Sequence, residues 1–171
     1  MKKIAAGLIL FTKDPRKGLV AVLSKRGHFD YEKFKPEKFP GLHEVTASGG
    51  IESGEHLIDG LLREIEEELG NAAAKLIARY EQHFHQIAHQ ESEHLIVYTY
   101  AVYIPHFPLV VIHPHRSSDG ILVVSAAAAK KIKALDRAHD KQTPMPDDKT
   151  IWMFPDQLEG LKKGFTLFGV N

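Results

Sequence analysis

The amino-acid sequence predicts an α/β layered domain built on a mixed β-sheet. Three observations carry that expectation. Short segments rich in β-branched, aliphatic and aromatic residues alternate with helical periods. Two of the apolar segments are separated only by a tight turn, as in a hairpin. The chain has 171 residues, enough for a single domain over residues 1–171 to bury a real core.

Residues 4–12 form the first predicted strand and end at Lys13-Asp14-Pro15-Arg16-Lys17-Gly18, a run of turn formers. Leu19 to Leu23 is the second strand and leads into Ser24-Lys25-Arg26. Residues 27–43 have no clean period and read as a loop ordered by its aromatics, closing in Phe39-Pro40-Gly41. Glu44 to Ser48 alternates like a short strand and runs into Gly49-Gly50. A helix is expected from near Ser53, which can cap it, to Gly70, which suits the position after a helix end. Ala74–Gln86 and Glu93–Ile104 read as two strands around a polar connection from His85 to Ser92. Leu109–Ile112 and Ile121–Val124 are further short strands, and Ala126–Arg137 is a helix. Lys141–Lys149 is a loop, Thr150–Phe154 a last strand, and Pro155–Lys163 a helix that its proline starts well.

Lys plus Arg and Asp plus Glu number 22 each, so the balance of charge implies no nucleic-acid footprint. No run approaches the ~18 apolar residues of a membrane span. The opening Met1-Lys2-Lys3 and IAAGLILF lack a small-x-small cleavage site and read as a strand rather than a secretory signal. With no cysteine, disulfides, thiolate metal sites and cysteine nucleophiles are all excluded, and a cytoplasmic location is expected.

The stretch Gly49–Asn71, GGIESGEHLIDGLLREIEEELGN, carries the chemistry. At about 100° per residue, Ile58, Leu61, Leu62, Ile65 and Leu69 gather on one helix face, and Glu64, Glu67 and Glu68 on another. Glutamates three and four apart repel by a few tenths of a kcal/mol per pair. A divalent cation that prefers oxygen, Mg²⁺ or Mn²⁺, offsets that repulsion; a solvated acidic face is the alternative reading of the same residues.

Gly49, Glu55, Arg63-Glu64-Ile65, Glu67-Glu68 and Gly70 reproduce every fixed position of the pattern Gly-x5-Glu-x7-Arg-Glu-U-x-Glu-Glu-x-Gly-U, with U apolar. This is the Nudix box, and the chain resembles the Nudix hydrolase superfamily. Only Asn71 departs, standing where an aliphatic residue is usual. The resemblance implies an α/β/α sandwich with a mixed sheet and Mg²⁺- or Mn²⁺-dependent hydrolysis of a small-molecule diphosphate, such as a nucleoside diphosphate derivative. It implies that Glu64, Glu67 and Glu68 bind metal, that Arg63 orients them, that Glu55 supports the loop and helix, and that Gly49 and Gly50 form the glycine turn. The proton acceptor in such enzymes comes from the box or from a later glutamate, making Glu64, Glu91 and Glu93 the candidates. Phe39 to Gly50 and Glu91-Ser92-Glu93 look like the branch that includes isopentenyl-diphosphate isomerase and its hydrolase-like relatives. That isomerase's cysteine is absent, and Gly50 stands where its metal-binding histidine follows the glycine, so hydrolysis is the expectation. A Nudix-fold sensor that binds without turnover and an isomerase-like enzyme are the alternatives.

Lys25 and Arg26 are candidate contacts to substrate phosphate, or else a solvated strand end. Eleven histidines invite a zinc site, with His83, His85, His89 and His94 closest together, but the spacings match no zinc pattern. His113-Pro114-His115-Arg116 reads as a surface loop. Phe29, Tyr31, Phe34, Phe39 and Trp152 read as packing between loop and sheet, with stacking on a planar group as their other role. Residues 106–149 exceed a minimal Nudix domain and read as an insertion that covers the substrate or mediates homodimer formation.

Overall fold

The structure is a computed structural model describing residues 2–169 apart from 32, 137, 138, 142, 144, 146 and 148. In chain order its elements are β1 (Lys3–Asp14), β2 (Gly18–Arg26), β3 (Phe29–Asp30), β4 (Lys35–Pro36), β5 (His43–Glu44), β6 (Ala47–Ile51), α1 (Leu57–Leu69), α2 (Asn71–Ala78), β7 (His85–Glu91), β8 (Leu95–Tyr103), β9 (Ser118–Ser125), α3 (Ala126–Ala129), β10 (Lys133–Ala134), β11 (Trp152–Met153) and α4 (Pro155–Phe168). Short 3-10 turns cover Glu81–His83 and Leu109–Val111.

The hairpin of β1 and β2 turns where the sequence predicts. The Asp14 carboxylate accepts the N–H groups of Arg16 and Lys17, and Gly18 takes a φ of 71°. β1 is the hub of a seven-stranded mixed sheet, running parallel to β8 on one edge and antiparallel to β2 and β6 on the other. Side-chain alternation along β1 serves two layers. Ala6, Leu8 and Leu10 meet Leu61, Ile65, Leu69 and Ile77 of α1 and α2, while Ile9 and Phe11 meet Leu158, Leu161 and Phe165 of α4. The result is the expected α/β/α sandwich.

The two halves of one β1 edge have different partners. Lys13 to Leu10 pair with β2 from Leu19 to Val22, and Leu8 to Ile4 pair with β6. β2 meanwhile pairs through Ser24 and Lys25 with β5. The strands therefore fork after Leu10 and Val22, and residues 43–51 fill the fork, crossing from β2 to β1. At the crossing, the fully buried Thr46 accepts the Leu10 N–H at 2.7 Å and donates to the Val22 carbonyl at 2.5 Å. Its hydroxyl satisfies two backbone groups that the fork takes from each other.

Several elements differ from the sequence reading. The segment expected as a strand over 74–86 is α2 followed by a 3-10 turn, with strand only from His85. Its Asn-Ala-Ala-Ala-Lys run has high helix propensity, and it packs Ala73, Ala74 and Ile77 inward. Asn71 opens this helix from an exposed position and donates to Glu66, so no aliphatic is needed there. The strand expected over 109–112 is a 3-10 turn. The helix expected over 126–137 ends at Ala129, beyond which Lys133–Ala134 pairs parallel to Trp152–Met153; Arg137 lies outside the described residues, as does part of the loop expected over 141–149. α4 runs past the expected Lys163 to Phe168. Gly164 lies inside it, where a Cβ would overlap the Phe11 ring.

Two predictions follow from the fork. Thr46→Val strands a buried donor and acceptor and should cost about 1–3 kcal/mol, with Thr46→Ser costing less; denaturant melts that find the valine variant as stable as wild type would contradict the role. His43, on β5, is 8 % exposed and its Nδ1 has no partner. Burial, helped by the charge of Lys25, holds its pKa down to about 4, against 6.5 ordinarily. The unfolded chain thus takes up the proton first as pH falls. The resulting stability is complete above about pH 6.5 and is lost progressively down to about 4, on the order of 3 kcal/mol. His43→Leu should flatten the pH dependence of the urea midpoint across that window, and an unchanged slope would count against it.

Candidate functional site

The carboxylate helix begins later than its capping signal suggests. α1 starts at Leu57 with His56 at the N-cap and no side-chain cap, whereas Ser53 sits in the preceding turn with Gly54 at a φ of 85°. The competing interaction is Glu55. Its carboxylate accepts the Glu52 N–H at 3.0 Å and is gripped by Arg63, which donates to Oε1 from Nε and to Oε2 from Nη2, both at 3.1 Å. Gly60 makes room, since a Cβ there would meet Glu55 Oε2 at 2.5 Å.

Arg63 is the hub of the box. Besides Glu55, its Nη2 donates to the Gly50 carbonyl at 2.8 Å and its Nη1 to Glu64 at 2.9 Å and Glu67 at 3.1 Å. One guanidinium thus ties the glycine turn to two of the three predicted metal ligands. Its hydrogen bonds to Glu55, Glu64 and Glu67 raise its own pKa, and the same contact lowers that of Glu55. Gly49 is required for contact rather than flexibility: a Cβ on it would overlap the Glu64 carboxylate.

Glu68 is set apart. Its Oε2 accepts the Ser48 N–H at 2.9 Å. Burial pushes its carboxyl up to about 7; Ser48 opposes the shift, the charges of Glu44 and Glu64 add to it, and Arg26 opposes it. A half-buried carboxyl among like charges gains most from a cation. The donor set is all oxygen, which suits Mg²⁺ or Mn²⁺. Arg63 holds Glu64 and Glu67 in the present arrangement, and among the described residues no three His, Cys, Asp or Glu are grouped so as to hold a metal ion. The exposed Glu67 is the ligand most able to swing from Arg63 toward one.

Glu64, Glu67 and Glu68 form one wall of a cavity of about 330 Å³. The cavity is also lined by Ser24, Lys25 and Arg26 from the end of β2, Glu44 from β5, Asp30 and Lys33 from the β3–β4 hairpin, and His115, Ser117 and Ser118. Lys25 and Arg26 line the same cavity as the box glutamates, but Arg26 is already engaged. It donates to both Glu44 oxygens, at 2.6 and 3.0 Å, and to the Lys38 carbonyl at 3.0 Å. Burial works against its charge, and Glu44 and Glu37 more than restore it.

Glu91 and Glu93 are not brought to this cavity. From Ile51 the register runs through Ile4 and Ile96 to Glu91, three strand spacings or about 14 Å. Glu91 pairs with Lys2, and Glu93 lies in the turn closed by Ser92 and Leu95, so the two do not share a strand face. The histidines of this edge likewise gather no metal cluster among the described residues; His89 stacks on Tyr98.

Other wall residues were not singled out as site residues in the sequence. The loop read as lying on the surface, His113 to Arg116, is tied to the last turn of α1, where His113 and His115 N–H groups donate to the Leu69 and Glu68 carbonyls at 2.9 Å. Gly27 N–H donates to the Ser117 carbonyl and Ser118 Oγ to the Lys25 carbonyl, at a bulge in the β2–β9 pairing. Residues 106–149 thus contribute a strand of the main sheet and a wall of the cavity. Long-range pairing of this kind leaves no local mark. Glu44 had a local one, a charge at the start of the short strand expected over 44–48.

The NUDIX domain family model matches residues 1–144. No curated protein matches the sequence. Among solved structures, the chain is similar to a MutT/nudix family protein from Enterococcus faecalis (14% identity, TM-score 0.59, covering 98% of this chain and 62% of that one). It is also similar to a mutT/nudix family protein from Listeria innocua (16% identity, TM-score 0.57, covering 98% and 94%). A third is the NUDIX domain of Shewanella oneidensis NrtR, solved with ADP ribose (14% identity, TM-score 0.54, covering 78% and 79%). The chain spans about three fifths of the Enterococcus protein. With the family model spanning most of the chain and the glycine turn, arginine hub and glutamates assembled in one place, this protein belongs to the Nudix family.

Proposed function

We propose that the protein is a divalent-metal-dependent pyrophosphohydrolase acting on a diphosphate linked to an organic group, a nucleoside diphosphate derivative being the leading class. The observation that carries this reading is the cavity of about 330 Å³, whose lining the box glutamates share with Lys25, Arg26 and Lys33. Glu64, Glu67 and Glu68 would hold Mg²⁺ or Mn²⁺, which when bound neutralises phosphate charge and lowers the pKa of water. Lys25 and Lys33, the latter paired to Asp30, bring positive charge to the same cavity, and Arg26 holds Glu44. Of the three carboxylates singled out in the sequence as proton acceptors, Glu64 is the one in the cavity, so it is proposed as the base in place of Glu91 or Glu93. No helix among the described residues is long and apolar enough to cross a membrane.

Purified protein should release nucleotide or phosphate from at least one member of a panel of nucleoside diphosphate sugars, dinucleoside polyphosphates, nucleoside triphosphates and prenyl diphosphates, with Mg²⁺ or Mn²⁺ and not with EDTA. Glu67→Gln and Glu68→Gln should each lower kcat/KM by about 100-fold or more while the melting temperature is kept. Full activity in both variants contradicts the assignment. Ligand binding with no turnover would instead indicate a sensor, and double-bond migration in a prenyl diphosphate an isomerase.

A further inference from the structure

The sheet ends on β7, and among the described residues no strand pairs with its outer edge. An open edge presents unpaired N–H and C=O groups, which proteins commonly guard with proline, lysine or a bulge. The strand His85-Gln86-Ile87-Ala88-His89-Gln90-Glu91 has neither proline nor lysine, and its one irregularity is a bulge between Gln86 and Ala88. From Ala88 to Glu91 its pairing with β8 is regular. Beside the edge, Gln86 and Ile87 border a groove of about 520 Å³ that α4 lines with Lys162, Lys163 and Leu167. Leu167 is 45 % exposed, and Lys163 pairs with Glu159 at 2.9 Å. In the β7–β8 turn the Glu93 side chain is 88 % exposed. Leu95, 39 % exposed, shares the α4 face of the sheet, lying an even number of residues from Ala101 in the core beneath α4.

We propose that β7 pairs antiparallel with β7 of a second copy of this chain, about a two-fold axis at Gln90. Opposite residues of an antiparallel pair share a face, so such an axis passes through a residue and never between two. An axis at Ala88 or His89 carries the pairing into the bulge at Ile87, and one at Glu91 carries it into the turn. An axis at Gln90 avoids both. It sets Gln90 against the partner's Gln90, Ala88 against the partner's Ser92 and, twice over, His89 against the partner's Glu91. An imidazole N–H donor facing a carboxylate is a favourable cross-strand pair. Lys2 donates to Glu91 Oε1, and the carboxylate has a second oxygen to offer. The same register brings each turn to the other copy's groove, with Glu93 and His94 level with the partner's Ile87 and Gln86. Glu93 thereby approaches the groove's two lysines, and Leu95 its open Leu167. A second copy matches edge, groove and turn together. These contacts lie outside residues 106–149, the segment that the sequence reading linked to a homodimer, and they leave both glutamate-lined cavities open.

The test is sedimentation velocity of the whole chain from about 1 to 100 μM, in which wild type should associate to a dimer. His89→Glu and Glu91→His each set like groups opposite one another and should weaken the dimer by about 10-fold. His89→Glu/Glu91→His, which exchanges the pair, should restore it, a rescue that a merely structural role for either residue would not give. Because the chain has no cysteine, a single substitution can also report the register. Gln90→Cys, at the axis, should form a disulfide-linked dimer on oxidation; His89→Cys and Glu91→Cys should do so when mixed but not singly. Wild type that stays monomeric across the range, a dimer that the exchanged pair does not restore, or Gln90→Cys that remains unlinked would overturn the proposal.

Discussion

The fork between β1 and β2 is the constraint on which the rest of the molecule depends. Two antiparallel strands that stayed paired to their ends would leave no edge for residues 43–51, and the glycine turn would have nowhere to be anchored. Because they part after Leu10 and Val22, the intervening chain pairs first with β2 and then with β1, and the hydroxyl of Thr46 closes the gap at the crossing. The same crossing carries Glu44 to the cavity on one side and sets Ser48 and Gly49 against Glu68 and Glu64 on the other. The register of a sheet thereby determines which backbone groups touch the carboxylate helix.

Electrostatics is arranged on that frame in two separate systems. Arg63 binds Glu55, Glu64, Glu67 and the Gly50 carbonyl, and so holds loop and helix as one unit. Arg26 binds Glu44 and the Lys38 carbonyl, and so joins β5 to the chain that follows the β3–β4 hairpin. Glu68 lies between the two, half-buried, its carboxyl raised to about 7 by desolvation, with the charges of Glu44 and Glu64 adding to the effect. A cation that takes oxygen ligands relieves that imbalance better than any group now touching it.

Much of this was legible in the sequence where the signal is local. The strand of Leu95 to Tyr103 is filled by β-branched and aromatic residues, and the box is a fixed spacing on one helix. Errors came where a stronger local or distant interaction was unread. The alanine run after Gly70 favours helix over the strand suggested by its apolar content, and the Arg63 grip on Glu55 delays α1 past Ser53. Thr46 and His115 owe their places to pairings with residues far away in the chain, which no local pattern announces. Glu91 and Glu93 illustrate the converse: a pattern of two glutamates survives in the chain while the register sets it three strands from β6.

We propose that a divalent cation draws Glu64, Glu67 and Glu68 together from the positions that the fork and Arg63 give them. Electron paramagnetic resonance of Mn²⁺ titrated into the protein measures this without reference to any substrate. Wild type should take Mn²⁺ out of the free aqueous signal, and Glu64→Gln/Glu68→Gln, melting as wild type does, should leave most of it there. Mn²⁺ bound equally by both proteins, or by neither, would contradict the account.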